Sequence, residues 1–276
     1  MSGSVQIPPP RLGSTWLSAR AHRFLASGSD ARPVAAARRV AEASVALLHS
    51  EDPDPSTNGE LRVLECMSER LGTVIDVGAN HGQWSRLALA VSPNVRVWCS
   101  ELVSPTRARL RDAVPEATVV DYGLSDHSGT TEVKHYPGDD GLSSVYDYPH
   151  PLPSVQLSEE VRTGDELLAA EGIERVDLLK VDAEGADLSI LRGFRLAIAE
   201  GRIDAIQFEY GYACVVARTF LLDFYELLEP QGFRLGRVGR RGVEFMSYRL
   251  ERENFFGPNF LAVRTHDPGL LERLAA

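Results

Sequence analysis

The sequence predicts an α/β fold: a doubly wound, mostly parallel sheet with an antiparallel edge strand, preceded by a helical N-terminal extension. Three observations predict it. From Thr73 onward, short β-forming runs alternate with helix-like segments, the pattern of a parallel sheet with helices on both faces. The stretch TVIDVGANHG puts an acid and two glycines where a buried strand passes into a helix, which is where doubly wound sheets bind ligands. Before residue 60 the pattern differs: PPP, then helical periodicity, then the turn-rich SEDPDPSTNGE. The expected division is a leader and helical extension over 1–58 and the main domain over 59–276.

Residues 1–15 read as an extended leader, because three consecutive prolines block a helix. Two helices are expected between Trp16 and Leu48, broken near SGSDARP. Val34, Ala37, Val40, Ala41, Val45 and Leu48 fall close to one face of the second. These helices are expected to cap an acceptor site or to form a homo-oligomer interface. TVIDVGA is a short buried strand and GQWSRLALAVS a helix. VRVWCSEL is a strand, PTRARLRDAVP a helix, ATVVDYGL a strand and TEVKHY an extra strand. GDELLAAEGI is a helix, VDLLKVDA a strand and ADLSILRGFRLAIAEG a helix. DAIQFEYG is a strand and ARTFLLDFYELLEPQG a helix. FRLGRVG and NFLAVRT close the domain as an antiparallel edge pair, with RVGRRGVEF giving a basic exposed turn.

At 276 residues, 43% hydrophobic and 25% charged, the chain has the composition of a globular domain with a sizeable core. No run approaches the about 18 apolar residues that a membrane helix needs. The net charge is -10, and six of the arginines lie within residues 1–50 beside only two acids, so the main domain is the acidic part. An acidic domain argues against nucleic acid as the partner. Cys66, Cys99 and Cys214 are far apart, odd in number and form no CxxC. This argues against a disulfide framework or zinc site and fits a reducing cytoplasm. The N-terminus lacks the apolar core of a secretory signal.

Asp76 closes the first strand of the main domain, followed by Gly78, Asn80 and Gly82. Glycine lets ligand atoms approach the backbone. Glu101 ends the next strand, where an acid accepts hydrogen bonds from ribose hydroxyls. The loop lacks the GxGxxG spacing of a dinucleotide site, and the chain has no GKS or GKT, which disfavours an NAD-dependent dehydrogenase and excludes a P-loop. An acid just before the glycines suits a cationic ligand better than a pyrophosphate. The ammonium and sulfonium groups of S-adenosylmethionine are such cations.

VIDVGANHGQWS, LSDHSG, SSV, LLKVDAEGADLSILRG and IQFEYG, in this order, resemble the FkbM-type family of S-adenosylmethionine-dependent methyltransferases over roughly residues 60–264. The resemblance implies a class I methyltransferase (Rossmann-like) fold. It implies cofactor contacts at Asp76, Gly78, Asn80, Gly82 and Glu101, and an adenine border at Leu124, Ser125 and Asp126. It implies methyl transfer to a hydroxyl of a small-molecule acceptor, a sugar, glycoside, oligosaccharide or natural product. Where the family has Glu-Pro after the second strand, this chain reads ELVSP. The rival from another class is a catalytically degenerate nucleoside-binding partner subunit.

Asp182 and Glu209 end neighbouring strands, with Lys180 and Glu184 beside Asp182. Three readings stay open. The acids hold a divalent cation such as Mg²⁺, they deprotonate the hydroxyl, or they are structural and satisfied by Lys180. Methyl transfer to a hydroxyl needs one of the first two, because a neutral aliphatic hydroxyl is a poor nucleophile. Lys180 is a base only if burial depresses its pKa, and pairing with an acid does the opposite. Of His81, His127, His135 and His150, His81 alone sits in the cofactor loop. HYPGDDGLSSVYDYPHPLP reads as a binding loop. Within it Ser143 and Ser144 match the family's paired serines, Ser144 being a candidate acceptor contact, and Tyr146 and Tyr148 are candidates for stacking on a sugar ring. Lys180 is counted with Asp182 and Glu209 in the candidate catalytic set, and Glu184, with Tyr210 and Tyr212 after Glu209, gives further candidates for the acceptor pocket.

Overall fold

The computed structural model describes residues 39–40, 52–147, 150–257 and 259–275. The expected leader lies outside these residues, as do the helices of 16–48 apart from the helical pair Arg39 and Val40, and so does Tyr148. The strands, in chain order, are β1 (Thr73–Val77), β2 (Arg96–Ser100), β3 (Thr118–Val119), β4 (Gly123–Ser125), β5 (Gly129–His135), β6 (Val155–Thr163), β7 (Val176–Val181), β8 (Ile203–Glu209), β9 (Phe233–Gly239), β10 (Gly242–Phe245) and β11 (Asn259–Arg264). The helices are α1 (Glu60–Met67), α2 (Gln83–Val91), α3 (Ser104–Ala113), α4 (Gly164–Ala170), α5 (Asp187–Gly193), α6 (Arg195–Ala199), α7 (Ala213–Ala217), α8 (Leu221–Leu228) and α9 (Pro268–Ala275).

Eight strands form one sheet in the order β10-β9-β11-β8-β7-β1-β2-β3. The chain runs outward from β1 to β3 and then returns to β7 on the other side of β1, so strand order reverses between β1 and β7. Both neighbours of β1 are parallel to it. All five residues of β1 are buried, which its run of β-formers dictates once both faces are covered. Alternation divides the side chains. Ile75, Val77, Leu179, Val181, Ile206 and Phe208 pack in one core with residues of α4, α5, α6 and α8. Val74, Leu178, Ala205 and Leu261 pack in a second core with residues of α1, α2, α3 and α9. Asp76, Lys180 and Gln207 lie in register across β1, β7 and β8. They share parity with Val74, Leu178 and Ala205, so their side chains fall on the α1 and α2 side.

The expected doubly wound fold is present, with differences of detail. ATVVDYGL does not form one strand. β3 ends at Val119 and β4 joins a second, three-stranded sheet in the order β4-β6-β5. Gly123 permits this departure, because a Cβ there would meet the Leu102 side chain. The expected helix over 186–201 divides at Phe194, whose ring fills the space beside Gly164. The helix expected over 217–232 begins only at Leu221, since Arg218 adopts a left-handed conformation (φ 55) that closes α7. β9 and β11 pair antiparallel as expected, but β11 is inserted between β8 and β9, and β10 forms the antiparallel edge. The basic turn is Arg240–Arg241, between β9 and β10. No helix among the described residues is long and apolar enough to cross a membrane.

Candidate active site

The carboxyl ends of β1, β2 and β7 open into a cavity of about 560 Å³, at the point where strand order reverses and within the size range of small-molecule sites. The turn after β1 forms one wall. Gly78 has φ 74, and an added Cβ would strike the backbone carbonyl of Asp182. Its absence therefore lets the turn after β1 close onto the end of β7, where Asp182 N–H donates to Val77 at 3.0 Å. Asn80 is also left-handed (φ 47), and its N–H donates to Glu101 Oε2 at 2.9 Å. The other Glu101 oxygen accepts the Val103 N–H at 2.9 Å. Burial raises the pKa of Glu101, against these bonds and the pull of Arg107. Each carboxylate oxygen keeps a further lone pair for a ligand hydroxyl.

Asp76 is fully buried. Its Oδ2 accepts a 2.6 Å bond from Ser85, while Oδ1 has no hydrogen-bond partner. Burial raises its pKa, against the attraction of Lys180. Asn80 Oδ1 and Trp84 Nε1 are likewise buried without partners, and all three side chains line the cavity. Buried polar groups in proteins are almost always satisfied, so these atoms mark where a ligand supplies what the chain does not. Asp76 and Asn80 offer acceptors, which fits a ligand bearing an ammonium group and hydroxyls, as the expected nucleoside cofactor does. Leu124, Ser125 and Asp126, at the end of β4, line the same cavity. Asp126 contacts the His127 ring nitrogen at 2.7 Å, and this bond lowers its pKa.

Lys180 joins this half of the site to the other. Its Nζ lies 3.0 Å from Asp182 Oδ2 and 3.7 Å from Asp76 Oδ1, and 5.7 Å from the Trp84 ring centroid. Burial opposes its charge, but the carboxylates of Asp182, Asp76 and Glu60 more than offset this, and its pKa is raised. The condition under which Lys180 would be a base, burial depressing its pKa, is not met; the pairing with carboxylates acts the opposite way, as expected, and Lys180 bridges Asp182 and Asp76. Glu60, from α1, lines the cavity too. It is held by Asn58 at 2.7 Å and Gln207 at 2.5 Å.

The strand-end acids do converge. Carboxylate oxygens of Asp182, Glu184 and Glu209 lie within 4.8 Å of one another. Glu184 has φ 47 and Gly185 φ 95, a turn that carries Glu184 back beside Asp182. Asp187 supports this geometry from beneath. It is fully buried, accepting the N–H of Ala183 at 3.4 Å and of Glu209 at 3.1 Å. Burial, with Asp182 adding to it, pushes its pKa up to about 7.

The loop after β5 closes over both halves. Asp140 has a 4% exposed side chain and lies 3.0 Å from His81 Nε2 and 3.0 Å from Arg109 Nη2. Four residues on, buried Ser144 donates to the Glu184 carbonyl at 2.8 Å. The loop thus binds the turn after β1 through Asp140 and the acidic turn through Ser144. Tyr146 lines the cavity. His135 is buried beside Ser143, and His150 meets the edge of Tyr136.

Two expected site residues stand elsewhere, and a third reaches the surface. Gly82 does not line the cavity; it makes room for Val114 and Leu110. Tyr210 is 1% exposed and donates to Glu253 at 2.6 Å, which makes it a core residue and not an acceptor contact. Tyr212 is 63% exposed, edge-on to Phe256. Trp84, Asp140, Arg109, Glu60 and Asp187 were not singled out in the sequence. A signal existed for Asp187, an acid at the first position of a helix otherwise apolar within. None existed for the others.

The family model for the methyltransferase FkbM domain matches residues 76–235, more than half of the chain. Among curated proteins, the chain is similar to the AMB antimetabolite synthetase AmbE of Pseudomonas aeruginosa, at 28% identity over 44% of this chain and 7% of that protein. It is similar to methyltransferase sdnD of Sordaria araneosa, at 27% identity over 44% and 59%. It is similar to the 2-O-methyltransferase NoeI of Sinorhizobium fredii, at 22% identity over 54% and 68%. The chain therefore spans a small fraction of the first relative and about three fifths of the second. Among solved structures, methyltransferase FkbM from Methylobacillus flagellatus aligns with 70% of this chain and 43% of its own, at 18% identity and a TM-score of 0.46.

Proposed function

Because the chain belongs to the methyltransferase FkbM domain family, we propose that it transfers a methyl group from S-adenosylmethionine to a hydroxyl of a sugar, glycoside, oligosaccharide or natural-product acceptor. The observation that carries the hydroxyl acceptor is the convergence of Asp182, Glu184 and Glu209 within 4.8 Å. Bound S-adenosylmethionine supplies a methyl carbon activated by positive sulfur. The chain must supply the rest: a seat for the cofactor, a reactive oxygen and a route for its proton. Asp76, Asn80 and Glu101 provide the seat. The three carboxylates either hold a divalent cation such as Mg²⁺, which lowers the pKa of a bound hydroxyl, or one of them takes the proton directly. Lys180, held charged, cannot take it. The name of the relative NoeI, a 2-O-methyltransferase, supports the same reaction class.

The test is calorimetric titration with S-adenosylhomocysteine, with Mg²⁺ and with EDTA, followed by methyl transfer from labelled cofactor to a panel of hydroxylated sugars. Micromolar binding and labelled methyl ethers are expected. Glu209→Ala should abolish labelling and leave cofactor binding within about threefold. Absence of binding would refute the cofactor assignment. Labelling of amines alone would refute the hydroxyl acceptor.

A further inference from the structure

The wall of the cavity beside α1 comes from residues that precede the first strand. Among the described residues before β1, Pro53, Pro55 and Glu60 line the cavity. Residues 52–58 form a turn closed on itself. Asp52 Oδ2 accepts the Thr57 hydroxyl at 2.9 Å, and the Asp54 carbonyl accepts the N–H groups of Thr57 and Asn58 at 3.0 Å each. The turn is tied on two sides. On one, Arg240 in the turn between β9 and β10 donates to Asp52 Oδ2 at 2.8 Å, and Gly59 packs so closely there that a Cβ would strike the Gly239 carbonyl. On the other, Gln83 of α2 reaches Asp54 Oδ1 at 3.4 Å. Proline has a fixed φ and no N–H to leave unpaired, so Pro53 and Pro55 suit a wall that a ligand rests against. Residues 52–60 and Arg240 all lie outside 76–235, the region matched by the family model.

This wall stands at one identifiable end of the cavity. Glu60 accepts from Gln207 at 2.5 Å, and Gln207 lies in register with Lys180 and Asp76 across β8, β7 and β1. Leu124, Ser125 and Asp126 lie away from this row, on the β2 side of β1, where Gly123 abuts Leu102. Beside the wall, Trp84 Nε1 is a buried donor without a partner, and the Lys180 ammonium stands 5.7 Å from the Trp84 ring centroid. An α-amino-acid group brings an acceptor to the indole N–H and a donor to the acids. Resting on the cofactor assignment above, we propose that residues 52–58 are a strap that walls the amino-acid end of the cofactor cavity, and that Arg240 is the positioning residue that holds the strap in place. Arg240 does not line the cavity and its side chain is 73% exposed, so it acts through Asp52 on Pro53 and Pro55. An ion pair this exposed is worth up to about fivefold in an equilibrium constant, which sets the size of the effect.

The probes are S-adenosylhomocysteine and 5′-methylthioadenosine, which keeps the nucleoside and sulfur but lacks the amino-acid group. Affinity of the full chain for the first is read by calorimetric titration, and for the second by its displacement of labelled S-adenosylhomocysteine. Arg240→Glu sets two acids side by side. It should weaken S-adenosylhomocysteine about three- to fivefold and leave 5′-methylthioadenosine within about 1.5-fold. Arg240→Lys keeps the charge and should hold S-adenosylhomocysteine within about 1.5-fold of the unaltered chain. Pro55→Gly loosens the strap without touching Arg240. It should show the same selective loss, and it serves if Arg240→Glu does not fold. Equal loss of both probes overturns the inference, because a general structural defect does not single out the amino-acid group. Unchanged S-adenosylhomocysteine affinity in Arg240→Glu overturns it too, as does a loss in Arg240→Lys equal to that in Arg240→Glu. Each of these results leaves the cofactor assignment standing. Binding of neither probe by the unaltered chain overturns the cofactor assignment, and the inference with it.

Discussion

The buried Asp187 carboxylate accepts the backbone N–H of Glu209 at 3.1 Å. One end of β8 is thereby fixed to the first turn of α5, which keeps Glu209 beside Asp182 and Glu184. Burying the carboxylate has a cost in charge that the bond only partly offsets. Burial pushes Asp187 up to about 7 from an ordinary 3.8. Between these values the folded chain holds a proton that the unfolded chain has released, so stability falls as pH rises through the window. Asp187→Asn removes this dependence. Relative to the unaltered protein, its stability should improve by up to about 1.4 kcal/mol per pH unit between about pH 4 and 7, on top of a constant loss from the altered amide bonds. Urea unfolding midpoints across that range measure it. Parallel curves for the two proteins would show that Asp187 is not the titrating group.

Gly78 makes a separate prediction. A Cβ at this position meets the Asp182 carbonyl, and the φ of 74 is itself unfavourable for an L-residue. Strain and collision act together in Gly78→Ala, so a loss of roughly 2 kcal/mol or more is expected. Binding of S-adenosylhomocysteine should fall by at least tenfold even where the variant is fully folded, because the turn must move away from β7. Unchanged affinity would mean that the turn does not shape the cofactor seat.

Asp140 is the contact between the loop after β5 and the cofactor turn. Asp140→Ala removes the carboxylate that His81 and Arg109 share at 3.0 Å each. Both partners are about half exposed, so the stability loss should be small, on the order of 1 kcal/mol or less. The functional loss should be larger: weaker cofactor binding, and faster proteolysis within 137–147 that bound S-adenosylhomocysteine no longer suppresses. Ligand protection equal to that of the unaltered protein would show that this contact does not close the site.

The parts of this site that were legible in the sequence are those fixed locally. Asp76 and Glu101 follow apolar strands that any parallel sheet would bury, so their places at strand ends could be read directly. Asp182 and Glu209 were legible for the same reason. Tyr210 was not. One residue beyond β8 the chain turns, and the ring goes inward to Glu253, 43 positions away. β6 was missed because VQLSEEVRT buries only two of its nine residues, and Glu159 interrupts the alternation of Val155, Leu157 and Val161. Asp140 looks like one acid among several in a loop. Its role comes from Arg109 and His81, which only the folded chain brings to it.

Lys180 offers the sharpest test of how the two halves of the site are joined. If it holds Asp76 and Asp182 together as a buried cation, Lys180→Met leaves those carboxylates without compensation. Breaking one side of a buried ion pair costs about 3–5 kcal/mol. The deficit should be largest at neutral pH and shrink in acid, where the carboxylates of the variant take up protons. Adding Asp76→Asn to Lys180→Met should recover part of the loss, because a carboxylate without its cation is then absent. The coupling energy of this cycle is expected at about 1–3 kcal/mol. Additive losses would mean that Lys180 serves Asp182 alone, and that the 3.7 Å approach to Asp76 carries no energy.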